Sequence, residues 1–109
     1  MSIQRDYIKR MLERAGPVLA KLIGLKTEGK KDEAYQLFQE GIRDVVGLDA
    51  KLVLAMSSQD LIALFNLDPN QAEGKRLIAS KLLTEYAAVT GSEDLARKAR
   101  ELDPHPATS

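Results

Sequence analysis

The chain has 109 residues, with 16 Lys and Arg against 16 Asp and Glu, one His, and neither Cys nor Trp. Such a length predicts one domain that buries roughly two-thirds of the surface its unfolded form would expose, with no disulfide or metal needed for folding. Zero net charge argues against a strongly basic nucleic-acid field. The lack of Cys excludes disulfide, redox and thiolate-metal chemistry, and one His excludes a paired-histidine metal motif.

Residues 1–14 carry Arg5, Asp6, Lys9, Arg10, Glu13 and Arg14, which is incompatible with the apolar stretch of a targeting segment. The longest uncharged run, Leu52 to Gln59, is eight residues, far short of the ~20 that span a bilayer. The expectation is a soluble, cytoplasmic protein.

Helical periodicity dominates the chain. Ile3, Tyr7, Ile8, Met11, Leu12, Ala15, Val18, Leu19, Leu22, Ile23 and Leu25 recur at spacings of three and four, predicting a long first helix. Pro17 lacks an amide proton and crowds the carbonyl of Glu13, so Gly16-Pro17 predicts a kink or break. A second helix is expected from about Lys31 to Val46, with Ala34, Leu37, Phe38, Ile42, Val45 and Val46 inward and Gly47 closing it. Asp49 caps a short third helix. Ser57, with Asp60 three residues on, starts a fourth. Asp68-Pro69, with Gln71 able to reach back, starts a fifth that carries Ala72, Leu77, Ile78, Ala79, Leu82, Leu83, Tyr86 and Val89. Thr90-Gly91-Ser92 ends it and caps a last helix lined by Leu95, Ala99 and Leu102. Asp103-Pro104 stops that helix, leaving 104–109 as a disordered tail behind a domain of residues 1–103. About six helices joined by short loops make an all-α domain of stacked antiparallel hairpins.

The first inter-helix turn carries a resemblance. Gly29, Ala34, Phe38 and Gly41 follow one another at spacings of five, four and three, which is similar to the centre of a tetratricopeptide repeat. Small residues there let two helices approach closely while the aromatic fills the groove beside them. Gly91 and Ala96, with the ending Glu101-Leu102-Asp103-Pro104, look like a second, weaker copy, although Arg100 stands where an aromatic is usual. Ile3-Gln4-Arg5-Asp6-Tyr7-Ile8 and Asp60-Leu61-Ile62-Ala63-Leu64 resemble an uncharacterised family of short bacterial helical proteins. The resemblance implies a tetratricopeptide-like fold and leaves activity open.

No residue pattern predicts catalysis or a cofactor. Glu28, Asp32 and Glu33, and likewise Glu93 and Asp94, occupy first-turn positions where carboxylates offset the helix dipole. His105 sits between two prolines, where nothing holds it rigidly. Tyr7 and Tyr86 are the pair from which a small-ligand pocket could be built. Ser57 to Arg76 is similar to a helix-turn-helix unit, with Asn70, Gln71, Lys75 and Arg76 as the residues that would read a major groove, although Asn66 replaces the usual turn glycine.

Charge is segregated even though it cancels. Residues 1–31 hold a net +5, residues 32–74 a net −6, and the remainder +1. Arg10, Arg14 and Lys21 fall within about one-tenth of a turn on the first helix, opposite its apolar side. That apolar side covers about 200°, against the ~100° of an ordinary surface helix. Either later helices or a second copy of the chain must cover it. The expectation is a non-enzymatic protein-protein interaction module that forms a homodimer, with Arg10, Arg14 and Lys21 as partner contacts.

Overall fold

The computed structural model describes residues 3–105, with side chains from Asp6 onward. In chain order it contains α1 (Ile3–Leu25), α2 (Lys31–Gly41), a π-helical turn (Ile42–Val46), α3 (Ala50–Ala55), α4 (Ser58–Phe65), α5 (Pro69–Thr90) and α6 (Glu93–Leu102). No strand occurs among the described residues. The all-α expectation and the number of α-helices both hold.

Local signals explain most boundaries. Asp49 accepts a hydrogen bond from the Lys51 amide at 2.8 Å, Ser57 from Asp60 at 3.1 Å and Ser92 from Leu95 at 3.2 Å. Each satisfies an amide that a helix start leaves without a partner. Gly29, Gly47 and Gly91 all have positive φ, the conformation in which a chain leaves a helix at least cost to a residue without Cβ.

Three local expectations need correction. Asp68 precedes α5 but its side chain accepts no capping bond, and its ψ of 87° differs from the 113° to 158° of the three working caps. Pro69 constrains the residue before it, so α5 starts on the proline and on a backbone bond from Gln71 to Asp68, 3.0 Å. Pro17 does not break α1, which runs through it for 23 residues. Both Pro17 and Glu13 are exposed, so water can serve the carbonyl that the proline leaves without a donor. The second helix stops being α-helical at Gly41. Its last turn widens, with the Gly47 amide donating to the Ile42 carbonyl at 2.8 Å.

The centre of the molecule is α5, which is 22 residues long. It touches α1, α2, the π-helical turn, α4 and α6, and buries Ile78, Leu82 and Leu83 completely. A helix packed on several sides needs buried positions all around it, as Ala72, Gly74, Ala79 and Ser80 also provide. On one side α1, α2 and the π-helical turn contact one another as well as α5; on the other, α4 contacts α6. The Cα radius of gyration, 13.2 Å, matches the ~13 Å of a single folded domain of this size.

Glycines set the closest approaches. A Cβ at Gly74 would stand 2.6 Å from Met11 Sδ, so any other residue there would force Met11 or the two helices to shift. Gly41 brings α2 against Val18 of α1 and Leu82 of α5, with 3.0 to 3.2 Å from a notional Cβ to their methyl groups. Beside it, Phe38 is fully buried and stacks on Tyr86, with ring centroids 4.8 Å apart. Residues Ala34, Phe38 and Gly41, singled out with Gly29 from their spacing, are thus all inside the α1–α2–α5 contact.

The wide apolar side of α1 is covered within the chain. Met11, Ala15 and Leu22 are buried against α2 and α5, and among the described side chains Ile23 is the one large apolar side chain of α1 left exposed, at 50%. Of the two alternatives for covering that side, later helices of the same chain do so here.

Candidate functional site

An open apolar groove lies between the C-terminal end of α1 and the start of α2. Gly24, Leu25 and Leu37 form its floor, while Lys21, Glu28, Glu33 and Gln36 form its rim, around a volume of about 430 Å³. Local structure explains the opening. Gly24 removes a side chain from the α1 wall, and the Gly29 turn carries the chain across to α2, so the groove lies beside the connection between the two helices.

Arg10, Arg14 and Lys21 on α1 are all exposed, and the structure places them differently from one another. Lys21 is on the groove rim. Arg14 donates from its guanidinium to the Asp44 carbonyl, one of the carbonyls at a helix end without an amide partner. It therefore ties α1 to the π-helical turn. Arg10 lies one turn further toward the N-terminus, on the same face as Arg14.

Their acidic counterparts share that side. Glu33 is on the groove rim, and Glu40, two turns on along α2, is exposed. None of the four ion pairs among the described residues joins the 1–31 segment to the 32–74 segment; they are Lys26–Glu85, Lys30–Glu28, Arg97–Asp94 and His105–Glu73. The segregated charge is not cancelled by direct contact between those segments. Glu85 Oε1 is closed off from solvent, with the Lys26 ammonium 2.5 Å away and no aligned hydrogen bond.

A second groove, polar and also about 430 Å³, lies between α4 and α6 and is lined by Ser57, Ser58, Gln59, Asp94, Arg97, Lys98 and Glu101, with Leu54 and Leu95. Its charged groups are occupied. Lys98 Nζ donates to the carbonyls of Val53 and Leu54, at 3.1 and 2.9 Å, and closes the end of α3. Burial pushes its pKa below the ordinary lysine value. Ser58 donates to Glu101 at 2.6 Å, and Arg97 pairs with Asp94 at 3.0 Å.

Sequence reasoning missed Lys98, although a signal was present. At 100° per residue it falls about 40° beyond Leu102, at the edge of the apolar stripe of α6, where a partly covered lysine needs internal acceptors.

Other candidates fall apart in space. Tyr7 packs beside Gly74, whereas Tyr86 is about 18 Å farther along α5 at 1.5 Å per residue, so the two share no pocket. Tyr86 instead joins Phe38 and Tyr35, whose ring centroid is 6.2 Å away. Of the residues placed in a major groove by the helix-turn-helix reading, Arg76 donates from Nε to the Leu102 carbonyl at 3.0 Å and Lys75 is half-buried.

His105 pairs with Glu73 at 2.6 Å, and its amide donates to Asp103 at 2.9 Å. The remainder of the expected tail, 106–109, lies outside the described residues. Among the described residues no three His, Cys, Asp or Glu side chains cluster as metal ligands, and no helix is long and apolar enough to cross a membrane.

Set against known proteins, the chain matches no protein family, no curated sequence and no solved structure. The reading of its function therefore stands on its own residues.

Proposed function

We propose that this chain is a non-enzymatic protein-association module, in which the groove between α1 and α2 receives the apolar side of a partner helix or peptide. The observation that carries the reading is the composition of that groove: an open apolar floor of Gly24, Leu25 and Leu37 under a rim of charged and amide side chains. Small-molecule sites enclose their ligand and converge a few buried polar groups on it. Helix-in-groove recognition needs an apolar trough with charged edges that select the partner. Lys21 supplies such an edge, and Arg10 and Arg14 extend it along α1.

A tetratricopeptide-like arrangement of the first two helices is part of this reading. Its support is the positive φ of Gly29, the complete burial of Ala34 and Phe38, and the contact of Gly41 with Val18. Val18 meets Gly41 while the earlier Arg14 meets the later Asp44, which supports helices running in opposite directions. Contacts of Ser80 with Ala99 and of Arg76 with Leu102 support the same for α5 and α6.

The test is affinity capture from the native cell with the wild-type chain, Leu37→Arg, Lys21→Glu and, on α5 away from the groove, Lys81→Glu. A partner retained by wild type and Lys81→Glu but lost from the two groove variants is the expected result. A partner that all four chains retain equally would overturn the groove as its site.

A further inference from the structure

The occupant of this surface can be named from charge. The exposed side of the α1–α2 pair has two rows of opposite sign, which reach the apolar groove at Lys21 and Glu33. Arg10, Arg14 and Lys21 form the row on α1; Glu33 and Glu40, with Asp44 of the π-helical turn, form the row on α2. Lys21 and Glu33 bound the same groove, and Arg14 reaches the Asp44 carbonyl, so both rows belong to one face. Glu13 lies about 60° off the α1 row and Arg43 about 60° off Glu40 at 100° per residue, leaving each row of one sign. No ion pair among the described residues joins the two rows.

We infer that the face is completed by a second copy of this chain, related by a two-fold axis that runs along the α1–α2 pair. This rests on the reading of the groove as an association site. A two-fold in that direction lays α1 of each copy over α2 of the other, so every contact between rows is basic against acidic. A two-fold across the helices would set α1 on α1 and α2 on α2, like charge on like, which costs binding energy and rejects that arrangement. In the chosen arrangement the grooves close over each other and the half-buried Leu37 of both copies loses its access to water. Lys21 faces the partner's acidic row, and Glu33 and Glu40 face the partner's basic row. The apolar floor supplies affinity; the rows supply orientation.

The same argument yields a test through charge exchange. One variant, Arg10→Glu with Lys21→Glu, has two acidic rows; another, Glu33→Lys with Glu40→Lys, has two basic rows. Arg14 is left in place because it holds the π-helical turn. Light scattering at high micromolar concentration is expected to give a dimer for the wild-type chain and a monomer for each variant alone. An equimolar mixture of the two variants is expected to return to the dimer mass, since both reciprocal contacts are again of opposite sign. Circular dichroism of each variant confirms that it remains helical, and the mixture is informative even if one variant is less stable than wild type.

A wild-type chain that stays monomeric overturns the inference, as does a dimer that survives in both variants or a mixture that stays monomeric. The two proposals fail separately. A monomer that still captures another protein through Leu37 sinks the dimer alone, whereas a dimer indifferent to Leu37→Arg sinks the groove.

Discussion

Individual residues show how little room the packing leaves. A Cβ placed at Gly74 would stand 2.6 Å from the sulfur of Met11, closer than real contacts come, so Met11, 1% exposed, would have to repack. Gly74→Ala is therefore expected to destabilise the fold by about 1–3 kcal/mol, the usual result of overpacking, despite the helix propensity gained. At Gly41 the neighbouring atoms are methyl ends of Leu82 and Val18, which can shift by a few tenths of an ångström, and Gly41→Ala should cost less. Chemical denaturation of the two variants checks the order; equal losses would refute it. The spacing that drew attention to Gly41 holds no hint of Gly74, because its reason for being glycine is a side chain on another helix.

Tyr86 gives a residue-scale prediction in pH. Burial, then the neighbouring Tyr35 phenol and the Asp32 carboxylate, push its pKa above the ordinary value of 10.0. The unfolded chain then loses this proton before the folded one does. The stabilisation is present below pH ~10 and declines as pH rises from there through the folded-state pKa. Tyr86→Phe should flatten this alkaline loss relative to wild type, measured by thermal unfolding across pH 9 to 12. An unchanged slope would remove Tyr86 as its source.

At the scale of elements, caps were legible and tertiary clasps were not. Asp49, Ser57 and Ser92 act on amides two or three residues away, so their partners are in the local sequence. The end of α3 depends on Lys98, more than forty positions later. Six residues of helix are too few to persist without tertiary support. Lys98→Met keeps the aliphatic stem and removes the donors. It should raise amide exchange in α3 by roughly tenfold, for a loss of about 1–2 kcal/mol, while α5 exchange changes little. Equal acceleration in both would mean that the lysine supports the whole fold rather than this helix end.

The π-helical turn belongs to the same class. Its residues read as a continuation of α2, and nothing within them marks a wider turn. The contact from Arg14 to the Asp44 carbonyl arises only once α1 lies alongside. Pro17 is the converse case, a strong local signal for interruption that packing on either side overrides, with Ala15 and Leu22 both fully buried.

For the whole molecule, α5 is the element on which the others depend. Its contacts with α6 are the most extensive in the fold and those with α1 come next. Truncation after Gly91 would strip α6 from α5 and leave Ser80, now bonded to Ala99 at 2.7 Å, and Arg76, now bonded to Leu102 at 3.0 Å, without their acceptors. The truncated chain is expected to lose cooperative thermal unfolding and to bind a hydrophobic dye. A sharp transition at the wild-type temperature would contradict the central role given to the α5–α6 contact.

Helix number, most helix starts and the buried side of each helix follow from periodicity and short-range capping, which act over a few residues and so are written in order along the chain. The groove also depends on a local element, the Gly29 turn, but the Gly29, Ala34, Phe38 and Gly41 spacing speaks for close packing of the two helices and not for an opening beside them. Which helix covers α1, which tyrosines meet, and which cations hold carbonyls instead of facing solvent arise from contacts between residues far apart in sequence. Charge is where the two levels join. Its division into basic and acidic segments is a property of chain order, whereas the placement of the two rows on one face, around an apolar groove, exists only after α2 has folded back beside α1.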